Sequence, residues 1–379
     1  MKKNMKERTL QHHIEQNLFR NKIVILFGTR RTGKTTLAKQ ILEKYSSAGK
    51  RCRYFNCELL ELRNQIETTS IGRLGDFLRP YDFIVLDDVQ HMENIGLSLK
   101  IMVDTYPEVQ IMATGSSSFD IANKTGEPLV GRSRQYTLLP FSLGELNCDL
   151  FDLETNLENF LRFGMYPTVV FEENPIEELN HLVSGYLYKD ILALEGIKHS
   201  KTILNLLRLL ALQIGSEVSY NEIASKLGIS IATVVKYIDL LEKCFIIFVL
   251  PAFSRNLRNE VGLRSRKIYF YDLGIRNTLV NAFAPLDTRS DLGALWENFC
   301  ITELMKKANN NRKFSNNYFW RTYDQQEIDY IEERDGLLQA YEFKYNSKAR
   351  VKPSRLFMET YKSEFCVVHR DNWYEKLVG

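Results

Sequence analysis

What this sequence has least of is net charge. Fifty lysines and arginines face 47 aspartates and glutamates, leaving +3 over 379 residues. Bulk charge therefore gives no strong pull toward nucleic acid, and such a surface has to come from local clustering. Long apolar runs are also missing. No stretch of about 18 apolar residues occurs, so no membrane span is expected. The first residues, "MKKNMKERTLQHHIEQNLFRNK", hold no apolar core and do not read as a signal peptide. None of the six cysteines (Cys52, Cys57, Cys148, Cys244, Cys300, Cys366) makes a C-x-x-C pair. A zinc site is not expected, and reduced thiols in a cytoplasmic protein are the preferred reading. No internal repeat or low-complexity tract appears.

What is present is ordinary globular composition, 44% hydrophobic and 26% charged. The length predicts roughly two to four domains. "KIVILF" reads as a buried parallel strand, with a short amphipathic helix before it at 8–20. "TTLAKQILEKY" follows with Leu37, Ile41 and Leu42 on one helical face. "RCRYFNC", "YDFIVLDDVQ", "VQIMATGSSS" and "RQYTLLPFS" are four further strand candidates. Strands alternating with helices predict an α/β domain with a parallel sheet over 1–148. A helical lid or linker is expected at 149–215, a helix-turn-helix with a β-ribbon wing at 216–285, and a smaller α/β domain at 286–379.

The spacing G-x-x-x-x-G-K-[ST] is met by Gly28, Gly33, Lys34 and Thr35, between a strand and a helix. This is the P-loop context, in which backbone N–H groups cradle phosphates, lysine reaches the β/γ-phosphates and the hydroxyl ligates Mg²⁺. ATP and Mg²⁺ are the expected ligands. Thr29, Arg30, Arg31, Thr32 and Thr36 complete the candidate nucleotide site, although solvation explains Arg30 and Arg31 equally well. "FIVLDD" ends a buried strand in two carboxylates, Asp87 for the Mg²⁺ shell and Asp88 to polarise the attacking water. Thr114 or Ser116, at the end of the fourth strand, is a candidate γ-phosphate sensor. Arg132 or Arg134 is a candidate arginine finger, in cis or from a neighbour in a homo-oligomer. A plain surface arginine is the alternative.

Ile223, Ala224, Leu227, Ile229, Val234, Ile238 and Leu241 have the spacing of a helix-turn-helix core around Gly228. Ser230, Thr233, Lys236 and Tyr237 are expected on the exposed face of its second helix. Arg255, Arg258, Arg264, Arg266 and Lys267 put five cations in the wing. Such a module suits phosphate contacts or docking to a protein partner, and the residues leave both open. In "EFK", Glu342 and Lys344 share a strand face, Asp329 precedes them across a turn, and Glu297 lies on the helix before. That is the layout of a PD-(D/E)xK-type nuclease: Glu297, Asp329 and Glu342 as metal ligands, Lys344 to orient the water. A strand-edge Glu–Lys ion pair accounts for "EFK" without chemistry.

The order "GTRRTGKTT", "FIVLDDVQ", "MATGSSS", "GRSRQYTLLPFSLGEL", "FGMYP", "YLYKDIL", "ALWENFCITEL" and "EIDYIEE…YEFKYN" resembles an AAA-type ATPase family of bacteria and archaea. The resemblance covers nearly the whole chain. It implies an AAA+ domain, a winged helix and a C-terminal restriction-endonuclease-like fold, but no defined biological role. Three functions are consistent with it: ATP hydrolysis coupled to action on DNA, with or without cleavage; an ATP-driven switch that engages a protein partner through an inactive nuclease-like domain; and transcriptional regulation.

Overall fold

A computed structural model describes residues 6–93, 95–116, 129–187, 200–253, 265–322 and 326–379. The chain divides into two compact units, one of residues 5–139 with 243–245, the other of 140–242 with 246–379.

The first unit is built on five parallel strands: β1 (Ile23–Phe27), β2 (Cys52–Asn56), β3 (Phe83–Asp87), β4 (Gln110–Gly115) and β5 (Ser133–Thr137), in the order β2-β3-β4-β1-β5. Alternation divides β1 between two cores. Ile23, Ile25 and Phe27 pack with Leu74, Leu78, Ile95 and Leu99. Val24 and Leu26 face Leu10, Ile14, Leu37 and Ile41. Both faces of the sheet are covered, which is why these strands read as continuous apolar runs rather than alternating ones. Leu37, Ile41 and Leu42 of the helix Lys34–Ser47 turn inward, as their spacing predicts. The N-terminal helix spans only Leu10–Glu15, shorter than expected: the N–H groups of Asn17 and Leu18 turn to acceptors three residues back, Ile14 O and Glu15 O, and Phe19 then takes a positive φ.

The second unit is helical at first, with helices Leu150–Phe163, Pro175–Leu182 and Ser200–Leu212. Helices Tyr220–Leu227 and Ile231–Lys243 follow, joined through Gly228. Strands β6 (Ile247–Pro251) and β7 (Arg266–Phe270) then pair antiparallel. The long helix Leu292–Asn310 leads into a sheet of β8 (Asn316–Arg321), β9 (Glu327–Arg334), β10 (Leu337–Phe343) and β11 (Glu364–Val368). Its order is β11-β10-β9-β8, with β10 and β11 parallel and the other pairs antiparallel. The ribbon is tied to this sheet. Phe253 donates its N–H to Phe319 O at 2.6 Å and buries its ring among Trp320, Ile328, Leu338 and Phe357. Among the described residues no helix is long and apolar enough to cross a membrane.

Because Ile25 is fully buried in the centre of the parallel sheet, Ile25→Ala should cost about 2–5 kcal/mol. Arg53→Ala, on the exposed side of edge strand β2, should stay within about 0.5 kcal/mol. Urea unfolding of the full chain measures both.

Candidate functional site

The loop between β1 and the helix Lys34–Ser47 is shaped by two glycines. Gly28 has φ 149°, and a Cβ there would stand 2.2 Å from Leu138 O. Gly33, at φ 95° and ψ 20°, turns the chain into the helix, a conformation that side chains resist. The loop closes on itself. Thr32 Oγ1 donates to Thr29 O at 2.8 Å, and Lys34 Nζ donates to Gly28 O at 2.9 Å and Thr29 O at 2.8 Å. Thr29 and Thr32 are buried, Arg30 and Arg31 half-buried, and Thr36 exposed on the first helical turn. Arg8 clamps the loop from outside it, donating to Thr32 O at 2.9 Å and Leu139 O at 2.6 Å. Nothing in the sequence marks Arg8 for this.

Asp87 is the hub. Strand register brings Leu26 of β1 beside Thr114 of β4, and carries Asp87 of β3 to the same carboxyl edge. Oδ2 of Asp87 accepts from Thr35 Oγ1 at 2.8 Å and from the Tyr54 hydroxyl at 2.6 Å; Oδ1 accepts from Thr114 Oγ1. Burial first, then the Asp87 hydrogen bond, raises the Tyr54 pKa well above that of an exposed phenol, so Tyr54 is a permanent donor. It reaches Asp87 because Tyr54 and Asn56 share a face of β2 and Asn56 is in register with Asp87. Asp88 leaves the strand in a left-handed conformation, φ 58° and ψ 46°. Its Oδ1 accepts from Gln90 Nε2 at 3.0 Å, and its N–H donates to Thr114 Oγ1 at 3.1 Å.

Two expected contacts are corrected. Thr114 has no exposed surface, and its hydroxyl is committed to Asp87 and the Asp88 amide. It holds the Asp87 carboxylate and the Asp88 backbone amide. Arg132 is not brought to the loop of its own chain. It precedes β5 and accepts from Ile23 N at the amino end of β1, the length of a strand away, about 16 Å. There its Nε pairs with Asp104 at 2.7 Å. Arg134 is exposed on β5, beside Val24.

In the second unit the four C-terminal residues do meet. Asp329 on β9 accepts from Phe343 N at 2.8 Å. Lys344 Nζ lies 2.7 Å from Glu342 Oε1 and 3.5 Å from Asp329 Oδ2. A fifth residue enters between them: Lys267 Nζ is 2.9 Å from Glu297 Oε1 and 2.6 Å from Glu327 Oε1. The Tyr269 hydroxyl donates to the same Glu297 oxygen at 2.5 Å. The expected metal ligands Glu297, Asp329 and Glu342 thus lie in a cluster in which Lys267 and Lys344 are paired with the acids. Among the described residues no three side chains of His, Cys, Asp or Glu are grouped to hold a metal ion. Burial pushes the Glu297 carboxyl up to about 7, Lys267 opposing and Asp329 adding to the rise. Burial likewise raises Asp329 and Glu342.

The helix-turn-helix face also differs from expectation. Ser230 is exposed but caps its helix, accepting from Thr233 N at 3.1 Å. Thr233 is half-buried and Lys236 exposed. Tyr237 is buried, because it falls three residues after Val234 and four before Leu241, on the core stripe. Lys267 points inward, and the Arg266 guanidinium lies 3.9 Å from the centre of the Tyr220 ring. Arg255, Arg258 and Arg264 lie outside the described residues, as does most of "YLYKDIL".

The comparisons with known proteins follow this division. Residues 20–147 match the profile of an AAA domain, 154–286 that of a domain of unknown function (DUF8612), and 292–376 that of another (DUF4143). The P-loop part is thus an AAA-type domain. An uncharacterized protein of Mycobacterium tuberculosis is 24% identical over 350 residues, 90% of this chain and 74% of that one. An uncharacterized protein of Methanocaldococcus jannaschii is 24% identical over 371 residues, 91% of this chain and 80% of that one. Among solved structures, the replication initiator DnaA bound to AMPPCP and single-stranded DNA aligns with 62% of this chain and 86% of its own, at 15% identity and TM-score 0.32. Domain III of the Thermotoga maritima DnaA aligns with 61% and 88%, at 17% and 0.30.

The raised carboxyl of Glu297 makes a pH prediction. Between the usual glutamate value of 4.5 and about 7 the folded chain holds this proton more tightly than the unfolded chain. Stability from this group is therefore greatest at the acid end of that window and falls as pH rises through it. Glu297→Gln, which mimics the protonated form beside Lys267, Tyr269, Glu327, Asp329, Glu342 and Lys344, should flatten the fall in unfolding midpoint between pH 5 and 8.

Proposed function

We propose that this chain binds and hydrolyses ATP with Mg²⁺ at the Gly28–Thr36 loop. The observation that carries the reading is the hydrogen bond between Thr35 and Asp87 at the mouth of that loop. A hydroxyl and a carboxylate held together beside phosphate-cradling amides are the hard oxygen donors that Mg²⁺ takes alongside a nucleotide. Mg²⁺ supplies neutralisation of the β/γ-phosphate oxygens. Lys34 exchanges the loop carbonyls it now binds for phosphate oxygens. Thr114 fixes one Asp87 oxygen, leaving the other toward Thr35. Asp88, turned out of the strand and steadied by Gln90, accepts the proton of the attacking water. Arg132, at the opposite edge of the sheet, serves a nucleotide only from a neighbouring copy in a homo-oligomer.

For what the ATP drives, the lysine-paired carboxylates favour the switch reading: the division into lid 149–215, winged helix 216–285 and nuclease-like domain 286–379 transmits the nucleotide state to a protein partner without cutting DNA. The inward turn of Tyr237 and Lys267 supports the same choice, since it removes two expected DNA contacts.

Lys34→Ala should weaken nucleotide binding tenfold or more, about 1.4 kcal/mol, in a fluorescent-nucleotide titration. Asp88→Asn should keep binding and lower turnover by about a hundredfold. Unchanged affinity in the first variant would falsify the site. Stimulation of turnover by DNA, or Mg²⁺-dependent nicking of a supercoiled plasmid abolished by Glu342→Ala, would restore the DNA-acting reading over the switch.

A further inference from the structure

The carboxylates of the C-terminal cluster come from three elements: the helix Leu292–Asn310, β9 and β10. The ammonium that enters them comes from a fourth, β7, which belongs to the antiparallel ribbon. Lys267 is only 2% exposed. Side-chain alternation along β7 puts Lys267 and Tyr269 on one face, and both reach Oε1 of Glu297. That oxygen has spent its lone pairs on an ammonium and a phenol. The same ammonium takes Glu327, while Lys344 ties Glu342 to Asp329. Four acidic groups thus surround two lysines, and Lys267 is the one drawn in from outside the sheet.

We propose that Lys267 is the resident cation of this cluster and that it excludes a divalent metal: ammonium and metal are alternative occupants of one place. A divalent ion a few ångströms from a buried ammonium meets strong repulsion at low dielectric, and Glu297 Oε1, holding two donors, has no lone pair left for it. An ammonium in this position offsets part of the acids' charge, as a metal would, but offers no exchangeable water, so a cluster with nuclease-type residues holds its fold without the chemistry. Withdrawal of β7 would turn it into a site for Mg²⁺ or Mn²⁺. The inference rests on the cluster's own geometry and stands independently of ATP binding in the other unit.

The test uses nucleotide-free full-length protein in an Asp87→Ala background, which removes the metal ligand of the loop. Mn²⁺ binding is read by electron paramagnetic resonance and by the shift of the thermal midpoint with Mn²⁺. The parent should show no Mn²⁺ site that depends on Glu297. Lys267→Met should gain one Mn²⁺ per chain and a midpoint that rises by several degrees with saturating metal, and adding Glu297→Gln should abolish both gains. Should Lys267→Met not fold, Glu327→Gln in the same chain removes the surplus charge and the titration is repeated. A Glu297-dependent Mn²⁺ site in the parent, or a folded Lys267-replaced chain that binds none, overturns the proposal.

Discussion

A parallel strand covered on both faces has one place left for polar chemistry, its carboxyl end. That constraint organises the first unit. β1, β3 and β4 are buried along their whole length, so the first groups able to meet a ligand are those just past their last apolar residues. Register does the rest, by setting Leu26, Thr114 and Asp87 at one edge. The loop, the hydroxyl of Thr35 and the carboxylate of Asp87 converge because the strands beneath them cannot slip without exposing their side chains. Arg132 fails to join them for the same reason: it sits at the amino edge, which the sheet separates from the loop.

The second unit obeys a complementary rule, that a buried charge must be paired. Lys267 answers Glu297 and Glu327. Elsewhere Lys306 meets Glu303 at 2.7 Å and donates to Phe141 O at 2.9 Å, while Glu303 accepts from Leu143 N at 2.8 Å. Arg276 and Arg289 share Asp291. Breaking any of these leaves an uncompensated charge, so they fix which elements lie together even where their net contribution to stability is small. Pairing of this kind also makes titration a property of the group: the proton on Glu297 belongs to a set that includes both lysines and the neighbouring acids.

Much of the nucleotide site was legible because its determinants are local. Nine consecutive residues carry the loop, and the strand that supplies Asp87 and Asp88 announces itself by its apolar run. Tyr54 and Arg8 were not legible, since each acts across 33 and 24 residues of chain through a contact that register and packing create. Tyr237 was misassigned on a different ground. Its hydroxyl suggests an exposed face, but its position on the helix places the ring among buried neighbours.

The sequence by itself determined that strands alternate with helices in the first unit, which glycine-bearing loop joins β1 to its helix, and that Glu297, Asp329, Glu342 and Lys344 belong to one constellation. Those are matters of spacing and period, and spacing survives without a fold. Only the tertiary structure decided what fills the constellation. Lys267 lies 30 residues from Glu297 and 60 from Glu327, in a stretch whose cations look like a solvated surface. Pairing of β7 with β6, and the docking of that ribbon through Phe253, turn its ammonium inward. Once buried, it has no lower-energy arrangement than contact with the acids, because a charge removed from water must find its counter-charge in the protein.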